Sequence, residues 1–137
     1  MQEELRSLDL DPNPHPNGNL AIQTVALPSD TNQFGDIFGG WLACQMDRAA
    51  ELACSKVAQG RVTSVSIENI SFLSPIDIGS VVGCYTRVRG VGRTSIKVEV
   101  EAWINQVEND EEWTKVAEGS FIFVAINDKR RTRAIPK

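Results

Sequence analysis

The spacing of apolar and polar residues divides this chain into one helical stretch and five extended stretches. Between about residues 37 and 58 the apolar positions recur at helical spacing, and Gly60 stands where a helix would end. The two-residue alternation or the apolar runs of β-strands are found at residues 19–27, 61–73, 81–89, 94–106 and 113–126. The predicted order is therefore β-α-β-β-β-β.

The predicted strand 94–106 has the clearest alternation. One face carries Ile96, Val98, Val100, Ala102 and Ile104, and the other carries Lys97, Glu99, Glu101 and Trp103. The last predicted strand instead ends in a nearly unbroken apolar run, typical of a strand covered on both faces. These patterns predict an α+β fold, in which a five-stranded antiparallel sheet wraps one long central helix.

The loop that opens the predicted helix suggests chemistry. Its Asx- and Gly-rich sequence leads into Gly39 and Gly40, and the first N–H groups of a helix attract negative charge. Because glycine has no side chain, a substrate carbonyl can come close to these groups. Asp47 follows seven residues after Gly40 in the same predicted helix. An oxyanion-binding helix start together with an acid indicates an acyl-transfer site.

Composition and charge exclude several classes of protein. The 137 residues are 42% hydrophobic, which predicts one domain with a substantial core, and a net charge of −4 argues against nucleic acid as the main partner. No apolar run approaches the about 20 residues of a membrane span, and no signal peptide is evident. Three cysteines without metal-ligand spacing predict a cytoplasmic protein with reduced thiols.

The chain is predicted to have two parts. Residues 1–18 are acidic and then rich in Pro and Asn, without periodicity, and are expected to form a flexible leader. Residues 19–137 are expected to form the single folded domain.

Six motifs occur in order along that domain. They are DTNQFGDIFGGWLACQMD at residues 30–47, GRVT at 60–63, FLSPI at 72–76, IGSVV at 78–82, GRTSI at 92–96 and FVAI at 123–126. This series covers about residues 20–136 and resembles the hotdog-fold acyl-CoA thioesterases of the YciA type, which are relatives of the brain acyl-CoA hydrolases.

The resemblance carries several expectations. It implies a homodimer with a continuous double-width sheet, often assembled as a trimer of dimers. It implies hydrolysis of acyl-CoA to a free acid and CoA, without a metal or an organic cofactor. The catalytic acid of the family matches Asp47, and a polar loop position of the family matches either Asn32 or Asp36.

Distance along the helix predicts that each site needs two chains. Seven residues correspond to about 10 Å of helix rise between Gly40 and Asp47. A general base must approach its partner to about 3 Å, directly or through one water. An antiparallel neighbouring helix would bring Asp47 of one chain beside Gly39 and Gly40 of the other.

Each site residue also has a purely structural interpretation. Asp47 is suited to be a solvated or ion-paired helix residue, Asp36 to be an N-cap, and the two glycines to be packing positions. His15, the single histidine, lies in the leader, and no GxSxG motif is present. These facts exclude Ser-His-Asp hydrolysis and a His-dependent dehydratase. A non-catalytic acyl-CoA-binding module remains the alternative.

CoA would require donors and cations for its phosphates. The resemblance makes the predicted turn of Arg93, Thr94 and Ser95 the first choice for contacts with the nucleotide end, whereas a solvated hairpin tip is the alternative. Gly39, Gly40 and Trp41 are also expected to contact the acyl-CoA substrate. The basic tail at residues 129–133 is interpreted as a solvated end.

Overall fold

The computed structural model describes residues 14–106 and 109–137, in which one helix lies against a five-stranded antiparallel sheet. The elements are β1 (Asn19–Val25), a short 3₁₀ turn (Pro28–Asp30), α1 (Gly39–Ala58), β2 (Val62–Phe72), β3 (Val81–Val91), β4 (Ser95–Gln106) and β5 (Asn109–Ala125). The predicted α+β fold and its order β-α-β-β-β-β are confirmed.

The strands follow the spatial order β1-β3-β4-β5-β2, with every neighbouring pair antiparallel. Strands β1 and β2 are therefore the two edges of the sheet. The first residue of β2, Val62, pairs with Ala125, the last residue of β5, so the chain returns to the C-terminal end of α1 when β5 ends.

The core lies between α1 and the inner face of the sheet, and α1 contacts all five strands. The helix contributes small buried residues, including Ala49, Ala50 and Cys54, which allow the strands to approach its axis closely. Strand β5 contributes the large side chains of Phe121 and Phe123 to the same core. The inner face of β4 has the composition that the alternation predicts, with Ile96, Val98, Val100 and Ala102 fully buried.

The outer face of β4 departs from the pattern at Trp103. This residue is only 5% exposed, although its neighbours on that face are charged. The Lys115 ammonium of β5 lies 5.7 Å from the centre of the indole ring, and the indole N–H donates a 2.8 Å hydrogen bond to Glu101. The backbone N–H of Asn17 donates to the same carboxylate at 3.1 Å. Contacts across the sheet, rather than alternation along it, bury this indole.

Element boundaries differ from the predicted ones by a few residues. The helix begins at Gly39 and not at 37, because Ile37 forms a β-bridge with Thr31 and Phe38 has an extended ψ of 150°. Strand β5 begins at Asn109, four residues before the predicted start. Residues 1–13 of the predicted leader lie outside the described residues. In the described part of the chain, no helix has the length and apolar character of a membrane span.

Candidate active site

The loop before α1 is closed by the side chain of Asn32. Its Oδ1 accepts hydrogen bonds from the backbone N–H of Phe34 at 2.9 Å and of Asp36 at 3.1 Å. The backbone N–H of Asn32 donates to the Asp36 carbonyl at 2.8 Å, and Gly35 donates to the Asn32 carbonyl at 3.0 Å. Gly35 has a φ of 82°, a left-handed conformation that glycine adopts easily. The loop is thus fixed by its own hydrogen bonds.

Asp36 does not cap the helix, so its predicted N-cap role is wrong. The N-cap residue is Phe38, and no side chain caps it. The Asn32 Oδ1 captures the Asp36 N–H and draws that residue into the loop two positions before the cap. Among the described residues, neither the Asp36 carboxylate nor the Asn32 NH₂ group has a hydrogen-bond partner, so both are available to a ligand.

The two glycines at the start of α1 have different surroundings. A Cβ on Gly39 would lie 3.1 Å from the ring of Phe72, so this position serves close packing against the end of β2. Gly40 is exposed, and a Cβ there would lie 3.2 Å from the Phe38 ring. Because the first turn of a helix has no intrahelical acceptors for its N–H groups, the Gly40 N–H is open to a ligand. Trp41 lies in the buried core at 9% exposure.

An apolar groove of about 410 Å³ begins at Gly39. It lies between the start of α1 and residues 72–76, and its lining includes the apolar side chains of Phe38, Leu42, Phe72 and Ile76 together with Ser74. The groove adjoins the helix N-terminus, so open backbone N–H groups lie close to a space that could hold an apolar chain.

Asp47 is half-buried on α1, and its Oδ1 is fully buried with no hydrogen-bond partner. Loss of solvent raises the pKa of this carboxyl above its usual value, and the nearby charge of Glu51 raises the pKa further. The solvated or ion-paired interpretation does not fit an oxygen in this state. A buried acceptor without a donor is costly, and such groups concentrate at functional sites.

A single chain does not bring Gly40 and Asp47 together. Helix α1 is continuous through both residues, so the about 10 Å of rise between them is retained. Gly40, Cys44 and Glu51 are exposed at helical spacing and define a face of α1 that the sheet leaves uncovered.

The predicted nucleotide-binding turn lies at the other end of the molecule. The Thr94 carbonyl accepts a 2.8 Å hydrogen bond from Ala125, and the Arg93 carbonyl accepts one of 2.8 Å from Ile135. Since Ala125 pairs with Val62 just after α1, this turn lies beside the C-terminal end of the helix. It is therefore separated from Gly40 of the same chain by about the 30 Å length of a 20-residue helix.

Sequence reasoning missed the contacts of Arg133, which it placed in a solvated tail. The guanidinium donates hydrogen bonds of 2.9 Å to the carbonyls of Ala58 and Ile126. Gly60 leaves room for it, since a Cβ there would lie 2.8 Å from Nη2. The prediction of a solvated end is wrong for this residue, and no local signal predicts the contact.

The three cysteines are free thiols in different environments. Cys54 and Cys84 are buried, and burial raises the pKa of each thiol to about 12. Cys44 is exposed on the uncovered face of α1. Among residues 14–106 and 109–137, no cluster of His, Cys, Asp and Glu side chains is arranged to hold a metal ion.

Comparison with known proteins gives consistent matches. The family model of the thioesterase superfamily matches residues 34–109. The chain is 43% identical to an uncharacterized acyl-CoA thioester hydrolase of Haemophilus influenzae, over 88% of this chain and 79% of that protein. It is 40% identical to the acyl-CoA thioester hydrolase YciA of Escherichia coli, over 88% of this chain and 93% of that protein. The hexameric thioesterase of Yersinia pestis superposes with a TM-score of 0.85 at 40% identity, over 90% of this chain and 99% of that one.

Proposed function

This chain belongs to the thioesterase superfamily, as a hotdog-fold acyl-CoA thioester hydrolase of the YciA type, and we propose that Asp47 and Gly40 perform its reaction. The substrate is an acyl-CoA, and the products are a free carboxylic acid and CoA. The buried, unpartnered Oδ1 of Asp47 is the observation that carries the assignment. It lies on the helix whose first turn presents the open N–H of Gly40.

The Asp47 carboxylate either removes a proton from an attacking water or attacks the thioester carbon itself. Its raised pKa makes it a stronger base than an ordinary aspartate. Attack converts the carbonyl to a tetrahedral oxyanion, which the Gly40 N–H and the helix dipole stabilise. Collapse breaks the C–S bond, and the CoA thiolate leaves and takes up a proton. Attack by the carboxylate gives a mixed anhydride, which water then hydrolyses.

We assign the polar loop position of the family to Asn32. Because its Oδ1 is held by two backbone N–H groups, its NH₂ group is presented in a fixed direction. A neutral amide donor stabilises an oxyanion, whereas the carboxylate of Asp36 would repel one.

Each site draws on two chains in this proposal. Gly40 of one copy lies beside Asp47 of a second copy whose helix runs antiparallel, which removes the separation of about 10 Å present within one chain. The uncovered face of α1 provides the contact between helices. The hexameric state of the Yersinia pestis relative supports an oligomer, and we propose a trimer of such dimers.

Strand β2 is the edge that joins the two sheets. No strand of residues 14–106 or 109–137 pairs with its outer side, and Val65, Ile67 and Phe72 are 55%, 49% and 51% exposed. A long apolar edge strand readily pairs with another strand. Pairing of β2 with its copy would produce the double-width sheet and place the two helices side by side.

The proposal also gives the direction in which the substrate lies in the site. The acyl chain occupies the apolar groove beside Gly39, Gly40 and Trp41 of one copy. The CoA portion starts beside Asp47 and extends toward the C-terminal end of the helix that carries this residue. The opposite direction along the helix leads to the second site of the dimer. The turn formed by Arg93, Thr94 and Ser95 lies at that end and is proposed to contact the nucleotide. The cytoplasmic location and the absence of a cofactor stay predictions.

Thiol release from a panel of acyl-CoA substrates tests this function. We expect the wild-type protein to release CoA and Asp47→Asn to be nearly inactive, whereas Asp77→Asn, on an exposed loop, should behave as wild type. Single turnover in ¹⁸O-labelled water tests the anhydride route, because label in the Asp47 carboxylate requires an anhydride that water has opened at the Asp47 carboxyl carbon. Binding of acyl-CoA without thiol release would favour the non-catalytic module instead.

A further inference from the structure

The outer face of the sheet, on the side away from α1, carries a predominantly apolar groove of about 490 Å³. It lies at the end of β4 and the start of β5, and its lining includes the rings of Trp103 and Trp113. The Trp113 ring also meets the ring of Tyr85 on β3 edge to face, with the ring centres 6.3 Å apart. Three aromatic side chains from three adjacent strands thus lie together on this face.

The charged side chains beside the groove are already paired with one another. The Lys115 ammonium lies 3.5 Å from the carboxylate of Glu101 and 3.0 Å from that of Glu118. The indole N–H of Trp103 donates its hydrogen bond to the same Glu101 side chain. An anionic ligand would face two carboxylates beside that ammonium, so the groove suits an apolar occupant.

The chain itself enters this groove just before β1 begins. The N–H of Asn17 donates a 3.1 Å hydrogen bond to Glu101 of β4, and Pro14 is part of the lining. Gly18 makes the turn between this segment and β1, with a φ of 113°. A Cβ on Gly18 would lie 2.5 Å from the carbonyl oxygen of Thr86, so the turn requires glycine. The backbone is therefore directed across the sheet and into the groove by a fixed turn.

The residues that precede Pro14 supply apolar side chains. Leu5, Leu8 and Leu10 alternate with acidic and polar residues in this part of the leader. Leu10 is four residues from Pro14 and Leu8 is six, so they lie at most about 14 Å and 21 Å of extended chain away from it. Both leucines are thus within reach of the groove that Pro14 lines.

We propose that Leu8 and Leu10 of the leader occupy this groove and pack against the rings of Trp113 and Trp103. Burial of leucine side chains against aromatic rings is favourable, and the entropy lost in ordering the leader opposes it. A segment joined directly to its binding site has an effective concentration in about the millimolar range, so modest apolar contacts suffice. A second copy or another protein would first have to displace a segment that is always present.

The position of the groove decides what this contact does. The sheet lies between the groove and α1, so a docked leader does not enter the site proposed for Asp47 and Gly40. Docking covers the apolar outer face of β4 and β5 and leaves catalysis unchanged. The inference is therefore independent of the reaction proposed above.

Acrylamide quenching of tryptophan fluorescence measures the cover in the full chain. The other two tryptophans are at most 9% exposed, so quenching reports mainly on Trp113. The double variant Leu8→Ser/Leu10→Ser should raise the quenching constant about twofold and keep the kcat of the wild type. Glu3→Ser, a leader change that removes no apolar side chain, is the matched control and should leave quenching unchanged.

Cleavage by trypsin after Arg6, the one Lys or Arg among residues 1–13, gives a second measurement. Trp113→Ser should accelerate this cleavage about tenfold, whereas Val91→Ser, at an exposed apolar position of β3 outside the groove, should not. Unchanged quenching in the double leucine variant would overturn the proposal, as would equal cleavage rates in Trp113→Ser and Val91→Ser. Wild-type quenching that rises on dilution would identify a second copy as the occupant and also overturn it.

Discussion

The Nη2 atom of Arg133 donates a 2.9 Å hydrogen bond to the carbonyl of Ala58, the last residue of α1, from 75 positions further along the chain. A cation at this place satisfies a terminal carbonyl and also interacts favourably with the helix dipole. The helix that carries Asp47 is therefore capped by a residue of the C-terminal tail.

Arg133→Ala should lower the free energy of unfolding by about 1–3 kcal/mol, since a half-buried charged donor loses its carbonyl acceptors. Denaturant unfolding at fixed protein concentration measures this change. Arg131→Ala, an exposed arginine two positions earlier, should change stability by less than about 0.5 kcal/mol. Equal effects of the two substitutions would contradict the capping role.

Asp47→Asn should lower kcat by at least about 100-fold, because the variant has no base or nucleophile. The same change should stabilise the folded protein at neutral pH. Since the folded-state pKa of Asp47 is raised, the native state binds more protons between the unfolded and folded pKa values, so stability falls as pH rises through that window. Wild-type kcat should fall as pH drops below the folded pKa.

Chemical denaturation of Asp47→Asn and wild type at several pH values checks the stability half of this prediction. A neutral amide removes the pH dependence due to this group, so the gain should disappear at acidic pH. Wild-type turnover in the variant would reassign catalysis, and Asp36 would be tested next.

Gly40→Val should slow turnover by about 100-fold, because the side chain obstructs access of the carbonyl to an N–H donor worth about 3 kcal/mol in other enzymes. Its melting temperature should change little, since only the half-exposed Phe38 ring must move. Gly90→Val, at an open position on β3, is the matched control. A Gly40→Val protein that is active but poorly folded would indicate a packing role alone.

Mixing Asp47→Ala with Gly40→Val tests whether sites are shared. After reversible dissociation and reassociation, half of the dimers should contain both variants, and each such dimer has one site with neither defect. Activity should recover to about a quarter of wild type if exchange is free and the sites are independent. Verified mixing without recovery would refute the shared site.

Cys44 reports the register of the two helices. If Asp47 of one copy faces Gly40 of the other, the twofold axis passes midway between positions 43 and 44, so the two Cys44 thiols face each other. A mild oxidant should therefore link the chains covalently, and Cys44→Ser should abolish the link. Cys54 and Cys84 are buried with pKa values near 12 and should not react. Oxidised protein that remains unlinked would require another register.

Short-range patterns predicted most of the fold. The alternation in β4 correctly predicted which side chains are buried on its inner face. The helical spacing located α1 to within two residues of its start. The family motifs led to the thioesterase assignment that the comparisons support. Each of these signals is local, because a strand or a helix face is determined by residues a few positions apart.

Long-range and competing local contacts were not predictable in this way. The cap from Arg133 and the burial of Trp103 by Lys115 depend on residues that only the folded sheet brings together. The N-cap assigned to Asp36 was wrong because the helix begins two residues later than an Asp36 cap requires, with Phe38 at the N-cap position. Asn32 accepts a hydrogen bond from the Asp36 N–H and holds Asp36 in the preceding loop, and Asn side chains favour such local backbone bonds over a helical conformation.

The order of the strands also has a consequence for how the chain folds. Strand β2, made directly after α1, has one neighbouring strand in the described part of the chain, which is β5, with Val62 opposite Ala125, 63 positions later. On a ribosome, α1 is thus synthesised well before the strand that completes its sheet. Such non-local pairing slows folding, because the entropy of closing a long loop is lost before the strand contacts that offset this loss can form. The polypeptide becomes able to support catalysis only after β5 has emerged, and the interval before that is when its apolar helix face and β2 are most open to chaperones and to aggregation.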